Sequence, residues 1–306
     1  AGNMTGGTSS LPTPLQRRII DAAADLSECT DSPEYLHAVL CQVGLPRRKQ
    51  AERVFERRSG NAALRLEAGS MFVGPSKPFV ELPLPYGSRP RLVLYHICSE
   101  AIRTQSKQID IGRSIADFFD KLGICPGGHE YTRFKNQMQA LCGVRMTLGF
   151  SDATRFVTID TKPVHRFDAW LHYDGRQLGM WPGYLELSQE FLDTLLGHAV
   201  PLDPRAIAAL KDSALALDLY TWLAHRLCRV RQDSGVKVSW NNLRQQFGQE
   251  YQGKDASRNF KKEFAPALAK VCAVYPEARV EKQNGGFVLY PSKPPVPKSQ
   301  VLMLGA

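Results

Sequence analysis

The sequence predicts an α+β fold, mostly helical, in which one order of elements occurs twice along the chain. Three observations predict it. First, "RLVLYHICSEAIRTQ" and "DLYTWLAHRLCRV" both place apolar residues at helical spacing, and each is followed by a short alternating segment, "QIDIG" and "VKVSW". Second, two further helical stretches and then strands follow in both places. Third, matching residues recur about 125 positions apart: Tyr95 with Tyr220, Gly123 with Gly248, and Phe134 and Lys135 with Phe260 and Lys261. Helix, strand, helix, helix and strands is the order of a winged helix, whose third helix normally enters a DNA groove. The expectation is two tandem winged-helix domains with an N-terminal helical and basic extension. Residues 1–74 are the flexible start plus that extension, 75–200 the first winged helix, 201–293 the second and 294–306 a flexible tail.

The elements follow in order. The opening "AGNMTGGTSSLPTP" is small, polar and proline-bearing, a flexible composition, and "LQRRIIDAAADLSE" reads as a short helix. Ser32 as N-cap, Pro33 at the first helical position and Gly44 as terminator predict a helix over "SPEYLHAVLCQVG". The basic stretch "LPRRKQAERVFERR" then leads to a strand, "AALRLEAG". After the break at "LPLPYGSRP", the first long helix and the strand "QIDIG" follow. Ser114, three residues before Asp117, predicts a capping box opening "IADFFDKLG", and the Gly127-Gly128 break precedes the helix "YTRFKNQMQALCGV". "VRMTLGF", "RFVTID" and "VHRFDAWLHY" alternate as antiparallel strands. The region from Arg155 to Tyr173 exceeds what a wing needs, which leaves pairing with a second protomer and a plain sheet edge both open. "YLELS" adds a strand before Ser188 caps "QEFLDTLLG"; Asp203-Pro204 opens the second unit, which ends in the hairpin "ARVEKQNGGFVLY".

A length of 306 residues with 43% hydrophobic and 23% charged residues suits a packed chain of two domains. Thirty-nine Lys plus Arg against thirty Asp plus Glu give a net charge of +9, which favours a polyanionic partner. No apolar run is long enough for a bilayer and no secretory signal opens the chain, so the expected location is cytoplasmic, without a membrane partner. Seven cysteines, an odd number lacking a CxxC pair, predict reduced thiols; Cys98, Cys228 and Cys272 fall in helical apolar patterns and read as buried.

The sharpest site signal is "DASRNFKKEFAPALAKV". Phe260, Phe264, Ala267, Leu268 and Val271 share one helical face, Arg258, Lys262, Ala265 and Ala269 lie opposite, and Lys261 sits at the boundary. A solvated amphipathic helix explains the pattern too, but the repeat and the hairpin favour a helix that enters duplex DNA. Small alanines among cationic side chains let the backbone approach closely, and Ser257, Arg258 and Asn259 at the N-terminus stand where base edges are touched, Arg suiting guanine and Asn adenine. Pro266 predicts a kink or break near Lys262 to Ala265. In the hairpin, Asn284-Gly285 favours a turn with positive φ at both central positions, and Lys282 beside it is a candidate phosphate contact. The equivalent first-unit helix offers Thr132, Asn136 and Gln139, flanked by Arg133 and Lys135, a less basic face that reads a second groove, contacts phosphates only or is simply solvated, with some DNA contact the favoured expectation.

Catalysis is not expected. A rolling-circle nicking site needs paired metal-binding histidines beside a tyrosine, whereas His165 and His172 are seven apart without an H-x-H. Cys125 and His129 lack a second close pair, and Gly127-Gly128 lacks the Lys-Ser/Thr of a phosphate loop, so no metal or cofactor is expected. A transcriptional regulator of tandem winged-helix build is the alternative that the residues leave open.

The stretches "EYLHAVLCQVGLPRR", "LPYGSRPRLVLYHICSEAIRTQSKQIDIGRSIADFFDKLGI", "RFKNQMQAL" and "VPLDPRAIAALKDSALALDLYTWLAHRL" resemble the plasmid-encoded RepA family of bacterial replication initiators, over about residues 34 to 290. "LPYGSRPRL" and "LALDLYTWL" carry the resemblance most strongly. It implies an initiator that binds repeated double-stranded sites (iterons) at a plasmid origin, promotes opening of adjacent AT-rich DNA and recruits host replication proteins such as a helicase or initiator. It also implies two winged helices, the first often a homodimer contact, and no catalytic residues. Arg258, Lys261 and Lys262 carry over by position in the third helix of the second winged helix, without individual base assignments.

Overall fold

The computed structural model of the protein describes residues 32–125, 127–151, 154–166 and 183–297. The expected opening segment and first short helix lie outside these residues, as does the expected tail from residue 298 onward; its first residues, 294–297, are described, and Val296 is buried rather than loose. Strand β1 (Glu34–His37) runs straight into a short helix, α1 (Ala38–Gln42). This corrects the single helix expected from Ser32 to Gly44, and the reason is tertiary. β1 finds an antiparallel partner in Ala199–Leu202 (β11), with Glu34 opposite Leu202 and His37 opposite Ala199. His37 caps α1 in place of Ser32: its Nδ1 accepts the Val39 N–H at 3.1 Å, and its Nε2 meets Thr194 Oγ1 at 3.1 Å.

Strands β2 (Val54–Ser59) and β3 (Ala62–Glu67) form a hairpin, followed by the short pair β4 (Ser70–Met71) and β5 (Val80–Glu81). The first unit then comprises α2 (Ser88–Thr104), β6 (Gln108–Asp110), α3 (Ile115–Lys121) and α4 (Gly128–Gly143). The capping box at α3 is present: Ser114 Oγ accepts from Asp117 N at 3.1 Å, and Asp117 Oδ2 from Arg113 N at 2.9 Å. After α4 come β7 (Arg145–Ser151), β8 (Phe156–Thr161), β9 (Val164–Arg166) and β10 (Tyr184–Leu187). The hairpin β7–β8 is an insertion that extends β2–β3 into a four-stranded sheet, ordered β2-β3-β7-β8, with β8 at its edge. Pairing thus ties the stretch before residue 75 to the first unit. Residues 167–173 of the long strand region lie outside the described residues.

Helix α5 (Gln189–His198), capped by Ser188 at 3.2 Å from Phe191 N, leads through β11 to the second unit. That unit comprises α6 (Pro204–Leu210), α7 (Ala214–Arg226), β12 (Val236–Ser239), α8 (Trp240–Phe247), α9 (Ala256–Val274), β13 (Val280–Gln283) and β14 (Gly286–Leu289). Strand order is the same in both units: β6-β10-β9 in the first and β12-β14-β13 in the second, all antiparallel. Of the residues that marked the repeat the aromatic pairs serve alike, whereas Gly123 takes φ +61° and Gly248 φ −123°, and Lys135 is half-buried where Lys261 is exposed. Tyr95 and Tyr220 are buried in α2 and α7, and Phe134 and Phe260 in α4 and α9.

The two units are joined by buried charge. Arg91 on α2 pairs with Asp218 on α7 through two bonds, at 2.7 and 2.8 Å, and its remaining N–H groups reach the carbonyls of Leu45, Pro46 and Gly87 at 2.6 to 3.2 Å. All five guanidinium donors are therefore used, which is what lets a charge remain buried at about this depth. Gly44 is a packing glycine here as well as a terminator, because a Cβ on it would meet the Asp218 carboxylate at 2.7 Å. A second buried pair stands beside the first. Glu250, just after α8, receives Arg47 at 2.9 Å and Arg57 at 2.9 Å, and Arg57 also donates to Gly44 O at 3.2 Å. Burial raises the Glu250 carboxyl, but the two guanidiniums outweigh it and hold it below the ordinary carboxylate range.

Arg91→Met should cost about 3–5 kcal/mol in urea unfolding, since it strands a buried carboxylate, while adding Asp218→Leu should recover a large part of that loss. The second test concerns acid. Burial, and then the neighbouring His198, push His37 down to about 3. An unfolded histidine binds its proton from about pH 6.5 downward, so the neutral buried His37 adds stability above that value and loses it as pH falls. Between pH 7 and pH 5 the unfolding free energy should drop by about 1–2 kcal/mol more in the parent than in His37→Asn, whose amide keeps an acceptor at the cap.

Candidate nucleic-acid interface

Helix α9 divides into two faces. Phe260, Phe264, Ala267, Leu268 and Val271 are buried, while Ser257, Arg258, Asn259, Lys261 and Lys262 are exposed. Arg258 is 84% exposed and only loosely approached by Asp255 Oδ1, at 3.9 Å. The break expected at Pro266 does not occur, and the helix runs on from Ala256 to Val274. Phe260 and Phe264 before the proline and Leu268 and Val271 after it enter one core, and that burial outweighs a lost donor and a clash worth about 3 kcal/mol.

Trp240 on α8 fixes the helix from below. Its ring packs edge-on against Phe260, Phe264 and Phe287 at 6.3, 5.6 and 5.1 Å, joining α8, α9 and β14. Lys261 Nζ lies 5.3 Å from the centre of the same ring, so this cation is held at the edge of the basic face. The β13–β14 hairpin presents Lys282 to solvent, its two-residue turn closing with Gln283 opposite Gly286. Only Gly285 takes positive φ there, +87°, which corrects the expectation for Asn284: among described non-glycine residues only Gln105 has positive φ. Gly285 O accepts the Trp240 N–H at 2.9 Å and anchors the turn to α8.

The structure adds a cation that the sequence pattern did not assign. Arg48 is exposed, 3.6 Å from Glu263 on α9 and 5.2 Å above the Tyr251 ring, while Tyr251 donates its hydroxyl to Glu263. Burial, reinforced by Glu263, pushes Tyr251 up to about 12, so it stays a donor. The run from Arg47 to Arg58 is thus divided. Arg47 and Arg57 are buried pairs, Arg53 bonds Glu81 and the carbonyls of Leu82, Ala68 and Gly69, and Arg48, Lys49 and Arg58 face solvent. The charge run was legible, but not the alternation of roles within it.

On α4, Thr132, Arg133 and Asn136 are exposed, whereas Lys135 and Gln139 are half-buried. Gln139 Nε2 contacts Met71 Sδ at 3.8 Å, tying it to the β4–β5 loop, where Phe72 and Phe79 stand exposed and 5.9 Å apart. Of the α4 candidates, three are available to a partner and two are engaged at the helix flank. Cys228 is exposed, against expectation, because it follows the last turn of α7; Cys98 is buried and Cys272 half-buried. Among the described residues no three His, Cys, Asp or Glu side chains converge on a metal-sized site, and no helix is long and apolar enough to cross a membrane.

Residues 84–242, from the segment before α2 to the start of α8, match the family model described as plasmid encoded RepA protein. Two crystal structures of RctB domains 2 and 3 are similar. One is 12% identical with a TM-score of 0.52 and coverage of 84% of this chain and 99% of that one. The other, of RctB residues 155–483, is 14% identical with a TM-score of 0.49 and coverage of 83% and 95%. The first of these shows a shared fold. No curated protein sequence matches the chain.

Gly286 tests how the hairpin is held. A Cβ at this position would lie 2.0 Å from Val238 O, an impossible approach, so β12 and β14 can pair only around glycine. Gly286→Ala should lower the unfolding midpoint by an amount equivalent to about 2 kcal/mol or more and expose the hairpin to limited proteolysis.

Proposed function

We propose, from the fact that the chain belongs to the plasmid-encoded RepA family, that it is a replication initiator whose two units are winged helices reading repeated double-stranded sites at a plasmid origin. The observation that carries the reading is α9: five of its first seven residues are exposed polar or cationic side chains, and its opposite face is an aromatic core. Such a helix is rigid enough to enter a major groove, and its first turn offers Arg258 and Asn259 to base edges while Lys261, Lys262 and the hairpin's Lys282 meet phosphates. The repeated order of elements, with the same strand order in both sheets, supports a second winged helix around α4. There Arg133 and Asn136 lead the contact, with Thr132 beside them. The initiator acts by binding: it holds iterons, promotes opening next to them and recruits host replication proteins, without a catalytic step of its own. A homodimer through the first unit is supported by β8, a sheet edge whose Phe156 is 93% exposed.

The test is footprinting on origin DNA of the replicon that encodes the chain, with a replication assay beside it. Protected repeats and loss of plasmid maintenance on gene deletion are expected; normal maintenance without the gene would point to a transcriptional regulator instead. Arg258→Glu with Lys262→Glu should lower affinity for a protected repeat by about 100-fold or more, because an attractive contact becomes repulsive at two positions. Both side chains lie off the apolar face, so the unfolding free energy should stay within about 0.5 kcal/mol of the parent. Unchanged affinity would remove α9 as the reader.

A further inference from the structure

A second cationic feature lies away from α9. Where the β2–β3 turn, the end of α7 and the edge strand β12 meet, a groove of about 660 Å³ opens. Arg58, Arg226, Arg229 and Lys237 line it, all exposed, and no acidic side chain does. None of these four takes part in an ion pair with a described residue, in contrast to Arg47, Arg57, Arg89, Arg91, Arg103 and Arg145, which all do. Holding four like charges around one concavity is unfavourable without a counter-charge, so the groove is built for an anion.

Its other lining side chains narrow the class. Asn61 and Asn242 bring amide donors, while of the two rings that line it Trp222 is 6% exposed and offers no face to a base, and His225 is half-buried at the rim. Four cations and several amides beside one half-buried imidazole suit phosphodiester oxygens better than a row of unstacked bases. The field is already felt by His225 at the rim, which burial and then Arg229 and Arg226 push down to about 4. The groove is also separate from the reader. Helix α8 turns Trp240 toward α9 and Asn242 toward the groove, and β12 is the opposite sheet edge from β13, which carries Lys282.

We infer that this groove binds the sugar–phosphate backbone of duplex DNA outside the segment read by α9. The inference rests on the DNA-binding reading above, and its test separates the two. Binding of a labelled 40-bp mixed-sequence duplex to the full chain is measured by anisotropy between about 50 and 200 mM salt. Replacing Arg226, Arg229 and Lys237 together by Ala should weaken binding by about 10-fold or more and flatten the log–log salt dependence by about 2. Arg258→Glu with Lys262→Glu should leave that groove-dependent part of the slope in place. A triple variant with the parent's affinity and slope overturns the groove while leaving α9 untouched; loss only in the triple variant keeps the groove and overturns α9. Should the triple variant not fold, acetylation of the unaltered protein decides, with Lys237 protected by duplex if the inference holds and equally reactive with and without duplex if it fails.

Discussion

The placement of the two units depends on the buried pair of Arg91 and Asp218. A guanidinium and a carboxylate removed from water lose several kcal/mol each, and only complete hydrogen bonding makes the arrangement stable. Here the carbonyls of Leu45, Pro46 and Gly87 complete the set, and through the first two the segment between α1 and β2 becomes the joint between α2 and α7. Gly44 makes the approach possible by leaving room for the carboxylate. The end of α1 and this segment meet the second unit again, where Gln246 donates to Gln42 O at 2.8 Å and Arg47 to Glu250. One strip of backbone thus binds α2, α7 and the end of α8.

From that joint follows the sorting of the arginines. Those pointing into it, Arg47, Arg57 and Arg91, are matched to carboxylates and serve stability. Those pointing away, Arg48, Arg58, Arg226, Arg229 and Arg258, have at most loose carboxylate partners among the described residues, at 3.6 and 3.9 Å, and Arg229 bonds only the neutral His225 carbonyl and Cys228 thiol. A surplus of nine positive charges says only that some polyanion is attracted. Pairing geometry says which of those charges remain available for it, and they fall on α9 with its flank and around the groove beside β12.

The repeat was legible because packing repeats with it: Tyr95 and Tyr220, Phe134 and Phe260 fill the same places in their cores, and a buried aromatic is hard to move. The amphipathic division of α9 was legible for the same reason, through helical spacing. What could not be read was anything decided by residues far apart in the chain. β1 looks helical until β11 is beside it, and Pro266 looks like a break until the core on both sides of it is counted. The β7–β8 insertion separates α4 from its unit's last two strands, and nothing local marks it as belonging to the sheet of β2 and β3. The split of the 47–58 run had one available signal, the strand alternation of "VFERRS", which turns Phe55 and Arg57 inward and Glu56 and Arg58 outward.

The joint also bears on how a two-headed reader would discriminate. Two modules on a flexible linker sample many separations, and each loses that freedom anew on binding, so they tolerate variable spacing between half-sites. Modules locked by buried ion pairs and backbone bonds have surrendered it during folding. Engagement of the second then costs little if the DNA offers the matching separation and is forbidden if it does not. On the proposed reading, spacing would be a determinant of affinity in its own right, alongside the few base edges assigned there to Arg258 and Asn259. A groove holding backbone elsewhere on the same rigid body would extend that logic, because its contact is rewarded only when the path of the duplex agrees with a geometry set by Arg91 and Asp218.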